Sequence, residues 1–152
     1  MRGRRRSFSI GVDASTLLSA TGVRNIYTAV LNALRNDARG VEADLLPRVP
    51  LLPDARQAAL TLQHLGKHFG EFPFDGVQVD PKDDAQWAPL LTLAPYAPHL
   101  ALRAGWRTQL LESTGGIDSV RLQLLPDQVA RVTEGLADLS PAGPGRARLR
   151  AT

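Results

Sequence analysis

The chain has 152 residues, of which 43% are hydrophobic and 22% charged, so it can form one domain with its own core. It contains no cysteine, which excludes disulfides, a thiolate nucleophile and cysteine-ligated zinc or iron–sulfur sites. Of its 18 basic residues, seven lie in two short terminal segments, namely Arg2, Arg4, Arg5, Arg6, Arg146, Arg148 and Arg150. The remainder holds 11 basic residues against 15 acidic ones. The net charge of +3 therefore comes from arginine-rich ends around an acidic body, and this distribution does not predict a basic binding face.

The amino-terminal segment predicts a first strand, because Phe8, Ile10 and Val12 alternate with small residues. The Arg5-Arg6 pair just before it resembles the twin-arginine export signal. However, Asp13 interrupts the apolar stretch, and no Ala-x-Ala cleavage site follows. No segment has the roughly 18 apolar residues that a membrane-spanning helix needs. We therefore expect a cytoplasmic protein, with twin-arginine export as the alternative.

Helical periodicity predicts four helices farther along the chain. In chain order, their apolar faces comprise Val23 to Leu34, Ala58 to Phe69, Trp87 to Leu91 and Val129 to Leu139. Two short strands are predicted among them, at Val41–Val49 and Val77–Val79. Because proline cannot donate a ladder hydrogen bond, Pro47 either limits the first of these strands to a sheet edge or cuts it short.

The clearest pattern is an alternation of apolar and polar residues from Leu100 to Leu110, which resumes from Val120 to Leu124. It predicts two antiparallel strands joined by a glycine-containing turn. A three-residue loop at 114–116 keeps the apolar residues of both strands on one face, with Leu110 opposite Val120 and Trp106 opposite Leu124. The two tryptophans, Trp87 and Trp106, are expected in the core.

These elements predict an α+β fold in a single domain. One antiparallel hairpin, at about residues 100–125, would belong to a small sheet packed against about four helices. We expect a basic disordered arm over 1–6, the domain over 7–139, and a flexible Pro/Gly/Arg tail over 140–152.

Asp13 is the first candidate for a catalytic carboxylate, since it follows the predicted first strand, where open α/β sheets place their ligands. The stretch Ile10-Gly11-Val12-Asp13-Ala14, followed by Thr21-Gly22-Val23 and Tyr27, resembles the opening of the retaining GT-B glycosyltransferases. This resemblance implies a glycine-rich turn close to a sugar acceptor, in the first of two Rossmann-like domains. The alternative without catalysis is that Asp13 caps a helix or a turn.

The segment Gly11-Val12-Asp13-Ala14-Ser15, with Thr21-Gly22-Val23, is also similar to the first strand of RNase H-like nucleases, including Holliday-junction resolvases. In that family a strand aspartate helps to bind two catalytic metal ions, so the resemblance implies a metal-dependent nuclease centred on Asp13. The further carboxylates available for such a site are Asp75, Asp80, Asp83 and Asp84.

Two histidines and three arginines are additional candidates for binding. His64 and His68 are four residues apart on a predicted helix and could form half of a zinc site, or simply face solvent. Arg103, Arg107 and Arg121 lie on the polar face of the predicted hairpin and could bind a phosphate or an acidic partner. Arginines on a solvated sheet face also need no function.

The sequence has no nucleotide-binding or phosphate-binding motif, and no cofactor is expected. The pattern favours a small binding or interaction module without an evident catalytic site, which could self-associate through a sheet edge. Its arginine-rich ends could also contact nucleic acid or an acidic protein weakly. The alternatives are a nuclease centred on Asp13 and a relative or fragment of a glycosyltransferase amino-terminal domain.

Overall fold

A computed structural model describes residues 3–12, 19–45, 52–68, 76–139 and 147–152. The strands are β1 (Arg6–Val12), β2 (Gly40–Ala43), β3 (Lys67–His68), β4 (Val77–Val79), β5 (Leu100–Gly105), β6 (Thr108–Ser113), β7 (Arg121–Leu124) and β8 (Ala147–Ala151). The helices are α1 (Ala20–Leu34), α2 (Pro53–Leu65), α3 (Asp84–Leu93) and α4 (Pro126–Ala137). None of these helices is long and apolar enough to cross a membrane.

The strands form one sheet in the order β3-β4-β2-β5-β6-β7-β1-β8, and every pairing described is antiparallel. One row of facing residues crosses seven strands, through Val79, Val41, Leu102, Leu111, Leu122, Phe8 and Ala151. The first five of these residues are at most 1% exposed. All four helices contribute buried residues to the same core cluster, so this row marks the helix-covered face of the sheet.

The adjacent row lies on the opposite side, because successive side chains of a strand alternate between faces. It runs through Lys67, Gln78, Glu42, Ala101, Glu112 and Arg121. Apart from the small Ala101, these residues are exposed or half-buried. This side, here called the open face, is covered by no helix of the described chain.

The four predicted helices are present, although α2 ends at Leu65, before the predicted limit at Phe69, which lies outside the described residues. In α1 the buried residues are Ile26, Tyr27, Val30, Leu31 and Leu34, the apolar face that the periodicity predicts. Ser19 caps this helix, its hydroxyl accepting a hydrogen bond of 3.0 Å from the Gly22 amide. Asp83 caps α3 in the same way, through the Ala85 amide at 2.9 Å. Helices α2 and α4 each begin with proline, whose fixed φ suits the first turn.

The prediction of a small sheet was wrong, since the described sheet has eight strands beside its four helices. Strand β2 lies inside this sheet, between β4 and β5, and not at an edge. The edge alternative was therefore wrong, and the strand is shorter than Val41–Val49, because it ends at Ala43. Pro47 follows the strand and lies outside the described residues.

The predicted hairpin was wrong in both its turn and its register. The alternating stretch is not one strand, because the chain reverses at Trp106 and Arg107 and Gly105 pairs with Thr108. Strand β6 then pairs with β7 so that odd-numbered Leu111 faces even-numbered Leu122, whereas the prediction placed Leu110 opposite Val120. A two-residue turn shifts the alternation of faces by one residue, so the even-numbered apolar pattern does not continue through the reversal.

The predicted disordered ends also require correction. Arg6 begins β1, and the guanidinium of Arg5 donates to Gln128 Oε1 at 3.0 Å. At the other end, residues 147–152 are not a flexible tail, because β8 pairs with β1 along its whole length. Residues 1–2 and 140–146 lie outside the residues that the structure describes.

Tyr27 ties α1 to the loop between β6 and β7. Its hydroxyl donates to the Gly116 carbonyl at 2.7 Å and lies 2.7 Å from Ser113 Oγ, and Ser119 donates to the same carbonyl. Tyr27 and Ser113 are at most 2% exposed. Burial raises the pKa of Tyr27 above its ordinary value, because a phenolate there would lose its hydration.

Trp87 ties α3 to α1 and lies in the core, as predicted, with 3% of its surface exposed. Its indole N–H donates to Asn32 Oδ1 at 2.8 Å. The guanidinium of Arg35 lies over the ring, 4.9 Å from its centroid, and donates to Asp84 Oδ1 at 2.6 Å. The aromatic ring, its polar atom and the cation above it all have partners within the fold.

Candidate functional site

A groove of about 750 Å³ opens beside β3, β4, β2 and β5. We call it the tip groove, because the tip of the β5–β6 hairpin forms one of its walls. Its charged lining residues are Arg39, Lys67, Lys82 and Arg103, against Glu42 and Asp80. Such a volume lies within the range of small-molecule sites.

Trp106 lies at the tip of the β5–β6 hairpin and lines the tip groove. It is 80% exposed, the highest value among the exposed large hydrophobic residues described. The guanidinium of Arg107 lies over its ring, 4.2 Å from the centroid. A cation at this distance is attracted by the ring quadrupole and helps to hold the indole in place. The tip thus presents a flat aromatic group beside a cation.

The two acidic side chains of the tip groove lie close to donors of the protein itself. Glu42 Oε1 is 3.3 Å from Arg103 Nε, across the strand pair β2–β5. Asp80 Oδ1 accepts a hydrogen bond of 2.9 Å from the Lys82 amide. With Glu42 and Arg103 paired, Arg39, Lys67 and Lys82 remain against Asp80, so the groove has an excess of positive charge that favours an anionic ligand.

The three arginines predicted as an anion patch do not gather on one hairpin. Arg103 lines the tip groove, Arg107 lies on Trp106, and Arg121 is two strands away on β7. Arg121 is held by its own loop, with Nη1 donating to the Asp118 carbonyl at 2.9 Å. The tip groove therefore includes only part of the predicted set.

The two histidines do not share a helix. His64 lies on α2, which ends at Leu65, and His68 belongs to β3. His64 borders a second, shallower depression of about 510 Å³ on α2. In the described part of the chain, no three histidine, aspartate or glutamate residues come together as a metal site would require.

Asp13 lies outside the described residues, so its role as a cap or a catalytic group stays a prediction. The same holds for Asp75, one of the four partner carboxylates proposed for it. Two others have structural partners, because Asp83 caps α3 and Asp84 binds Arg35. The fourth, Asp80, lines the tip groove.

An ion pair outside the groove connects α1 to α2. Arg24 Nη2 donates to Asp54 Oδ2 at 2.6 Å. The hydrogen bond raises the pKa of Arg24 and lowers the pKa of Asp54 from their ordinary values. The pair stabilises charged forms that both residues already have at neutral pH, so it points to helix packing rather than to proton transfer.

Sequence reasoning missed Trp106, which was assigned to the core. The residue continues an alternating pattern, and the turn around it lacks an Asn-Gly or Asp-Gly pair. A weak signal was available, since Gly105 precedes Trp106 and glycine often marks a break in a strand.

No protein-family model matches the chain, and neither a curated protein nor a solved structure is detectably similar to it. The sheet is antiparallel in every pairing described, which differs from the parallel sheet that the glycosyltransferase resemblance implies. Function must therefore be argued from the site itself.

Proposed function

We propose that the protein is a binding module and that its ligand occupies the tip groove against Trp106. The observation that supports this proposal is the exposure of Trp106, 80%, on a short hairpin beside a groove with excess positive charge. Leaving a large aromatic side chain in water forgoes roughly 2 kcal/mol of burial free energy, which a ligand would recover by covering it. Tryptophan and arginine are also the residues that most often dominate binding energy.

The chemistry of the tip groove favours a ligand with a flat ring and a negative charge. An aromatic ring can stack on the indole, and Arg107 makes the same surface attractive to electron-rich rings. Arg39, Lys67 and Lys82 can bind an anionic group within the groove. A nucleoside phosphate combines both properties.

Self-association through a sheet edge, the partner expected from sequence, receives less support than ligand binding. The edge strand β8 has exposed arginines at 148 and 150. Antiparallel pairing of two copies along β8 would bring these like charges together, which is a common protection of sheet edges. Sheet-edge pairing is therefore not part of the proposal.

Heteronuclear NMR tests the proposal, because the chain has two tryptophans and hence two indole N–H signals. On titration with adenosine monophosphate, we expect the Trp106 signal to move while that of Trp87, which is bonded to Asn32, stays in place. Trp106→Ala should weaken binding about tenfold or more, the usual contribution of a base–aromatic stack. Its effect is read from backbone amides of the tip groove.

Leu60→Ala is the matched control, since Leu60 is also exposed (53%) but lies on α2 beside the other depression. It should leave the titration unchanged. An unmoved Trp106 signal, or equal losses in the two variants, would mean that the tip groove is not the ligand site.

A further inference from the structure

Strand β8, near the end of the chain, brings two arginines onto the open face of the sheet. In the β1–β8 pair, Ser9 faces Arg150 and Gly11 faces Arg148. Phe8 and Ile10, which alternate with Ser9 and Gly11, lie on the helix-covered side. Arg148 and Arg150 therefore belong to the same side of the sheet as Arg103 and Arg121.

The side chain of Arg150 extends across the open face rather than away from the sheet edge. A Cβ atom placed on Gly11 would lie 2.5 Å from Arg150 Nε and 2.7 Å from its Cδ. Only a residue without a side chain leaves room for this path. Glycine in β1 thus allows the guanidinium of the edge strand to lie over its neighbour.

The open face connects these arginines to the tip groove. Arg103, Arg121 and Arg150 lie on β5, β7 and β8, and the two intervals are each two strand spacings wide. At about 4.8 Å per strand, the backbones that carry these arginines are ~10 Å apart, and the three strands extend over ~19 Å in total.

Two acidic residues interrupt the open face, and both have partners within the protein. Glu42 is paired with Arg103. Glu112 Oε2 accepts a hydrogen bond of 2.7 Å from Gln109, and its other oxygen is 3.6 Å from His99 Nε2. Glu112 lies opposite Arg121, but the arginines at 121, 148 and 150 outnumber it, so this part of the open face has an excess of positive charge that attracts an approaching anion.

We infer that the ligand of the tip groove is a single-stranded nucleic acid, whose strand leaves Trp106 and crosses the open face to Arg121 and Arg150. This inference rests on the proposed function and names its ligand class. Single strands offer unstacked bases to an aromatic side chain and closely spaced phosphates to a row of cations. In a duplex the bases are stacked on one another and cannot cover Trp106.

Fluorescence anisotropy with labelled oligothymidylate of about 4 and about 12 nucleotides tests the inference, because only the longer strand can cross the face. We expect the longer strand to bind at least tenfold more tightly. Arg121→Gln and Arg150→Gln should each weaken it about three- to tenfold and lower the salt slope by about 0.7, the value for one phosphate contact on a single strand. Adenosine monophosphate binding should not change in either variant.

Arg56→Gln is the charge-matched control, since Arg56 is exposed on α2. It should leave strand binding unchanged, and a thermal melt of each variant checks the fold. If adenosine monophosphate moves the Trp106 signal but length and arginine variants have no effect, the inference is wrong while the proposed function stands. If nothing moves that signal, the proposed function is wrong. Competition by polyglutamate as strong as that by oligothymidylate, or equal binding of a duplex, would also overturn the single-strand assignment.

Discussion

The two tryptophans have similar partners in opposite surroundings. An arginine lies over each ring, Arg35 over Trp87 at 4.9 Å and Arg107 over Trp106 at 4.2 Å. Trp87 is 3% exposed and its N–H is bonded to Asn32, whereas Trp106 is 80% exposed at a hairpin tip. The same pair of side chains thus stabilises the fold on the covered side and leaves an aromatic surface available on the other. Burial, rather than residue type, separates the structural tryptophan from the one whose ring is accessible.

The sharpest test of this contrast is to remove each ring in turn. Trp87→Ala should lower the free energy of unfolding by about 3–5 kcal/mol, because it leaves a large cavity in the core. Trp106→Ala should change it by less than about 0.5 kcal/mol, as expected for an exposed site. Urea unfolding at neutral pH measures both values, and similar losses in the two variants would contradict the contrast.

Two glycines extend the comparison to the loops at opposite ends of β6. A Cβ atom at Gly105 or at Gly116 would have no neighbour within 4 Å, so space is not the difference. Gly116 has φ of 77° and ψ of 162°, a conformation that is essentially restricted to glycine, and φ is positive in the described chain only there and at Gly115. Gly116→Ala should therefore lower the free energy of unfolding by about 1–3 kcal/mol. Gly105→Ala should lower it by only about a few tenths of a kcal/mol in the same urea assay. Equal stabilities would show that the loop adapts to the substitution.

Tyr27 provides the smallest of the three effects and one that depends on pH. Tyr27→Phe should cost about 1–2 kcal/mol at neutral pH, since buried hydrogen bonds to Gly116 and Ser113 are lost. The pKa of Tyr27 is raised above its ordinary value of 10.0, which means that the folded state favours the neutral phenol over the phenolate. Its stabilising contribution is therefore complete below pH 10 and is lost as pH rises above it. The free energy of unfolding, measured from pH 8 to 11, should fall more steeply in the wild type than in Tyr27→Phe. Parallel curves would exclude this role of Tyr27.

The covered side was largely predictable from sequence, because helical periodicity reports which residues a helix buries. The apolar faces of α1 and α4 and the strand at Val77–Val79 came directly from spacing and turn signals. Spacing does not report strand partners or the point at which a strand reverses. This is why the hairpin turn at Trp106 was missed and why an edge position was allowed for β2.

The last strand was missed for a different reason. Composition dominated the prediction for residues 140–152, although Arg148 and Arg150 alternate with Ala147, Leu149 and Ala151 as a half-buried strand requires. Counting those arginines as part of a disordered end led to the expectation that the folded body has no basic face. Their pairing with β1 places them on that body, on the same side of the sheet as Arg103 of the tip groove.

The pairing of β1 with β8 also has a kinetic consequence. It joins Phe8 to Ala151, so it closes a loop of nearly the entire chain described here. Closure entropy grows slowly with length, by about 0.6 kcal/mol for each doubling, but such distant contacts form late in folding. The strand that completes the arginine row is thus expected to dock after the local hairpin and the helices have assembled. A partly folded chain would then lack the cationic surface, so anion affinity would itself report that folding is complete.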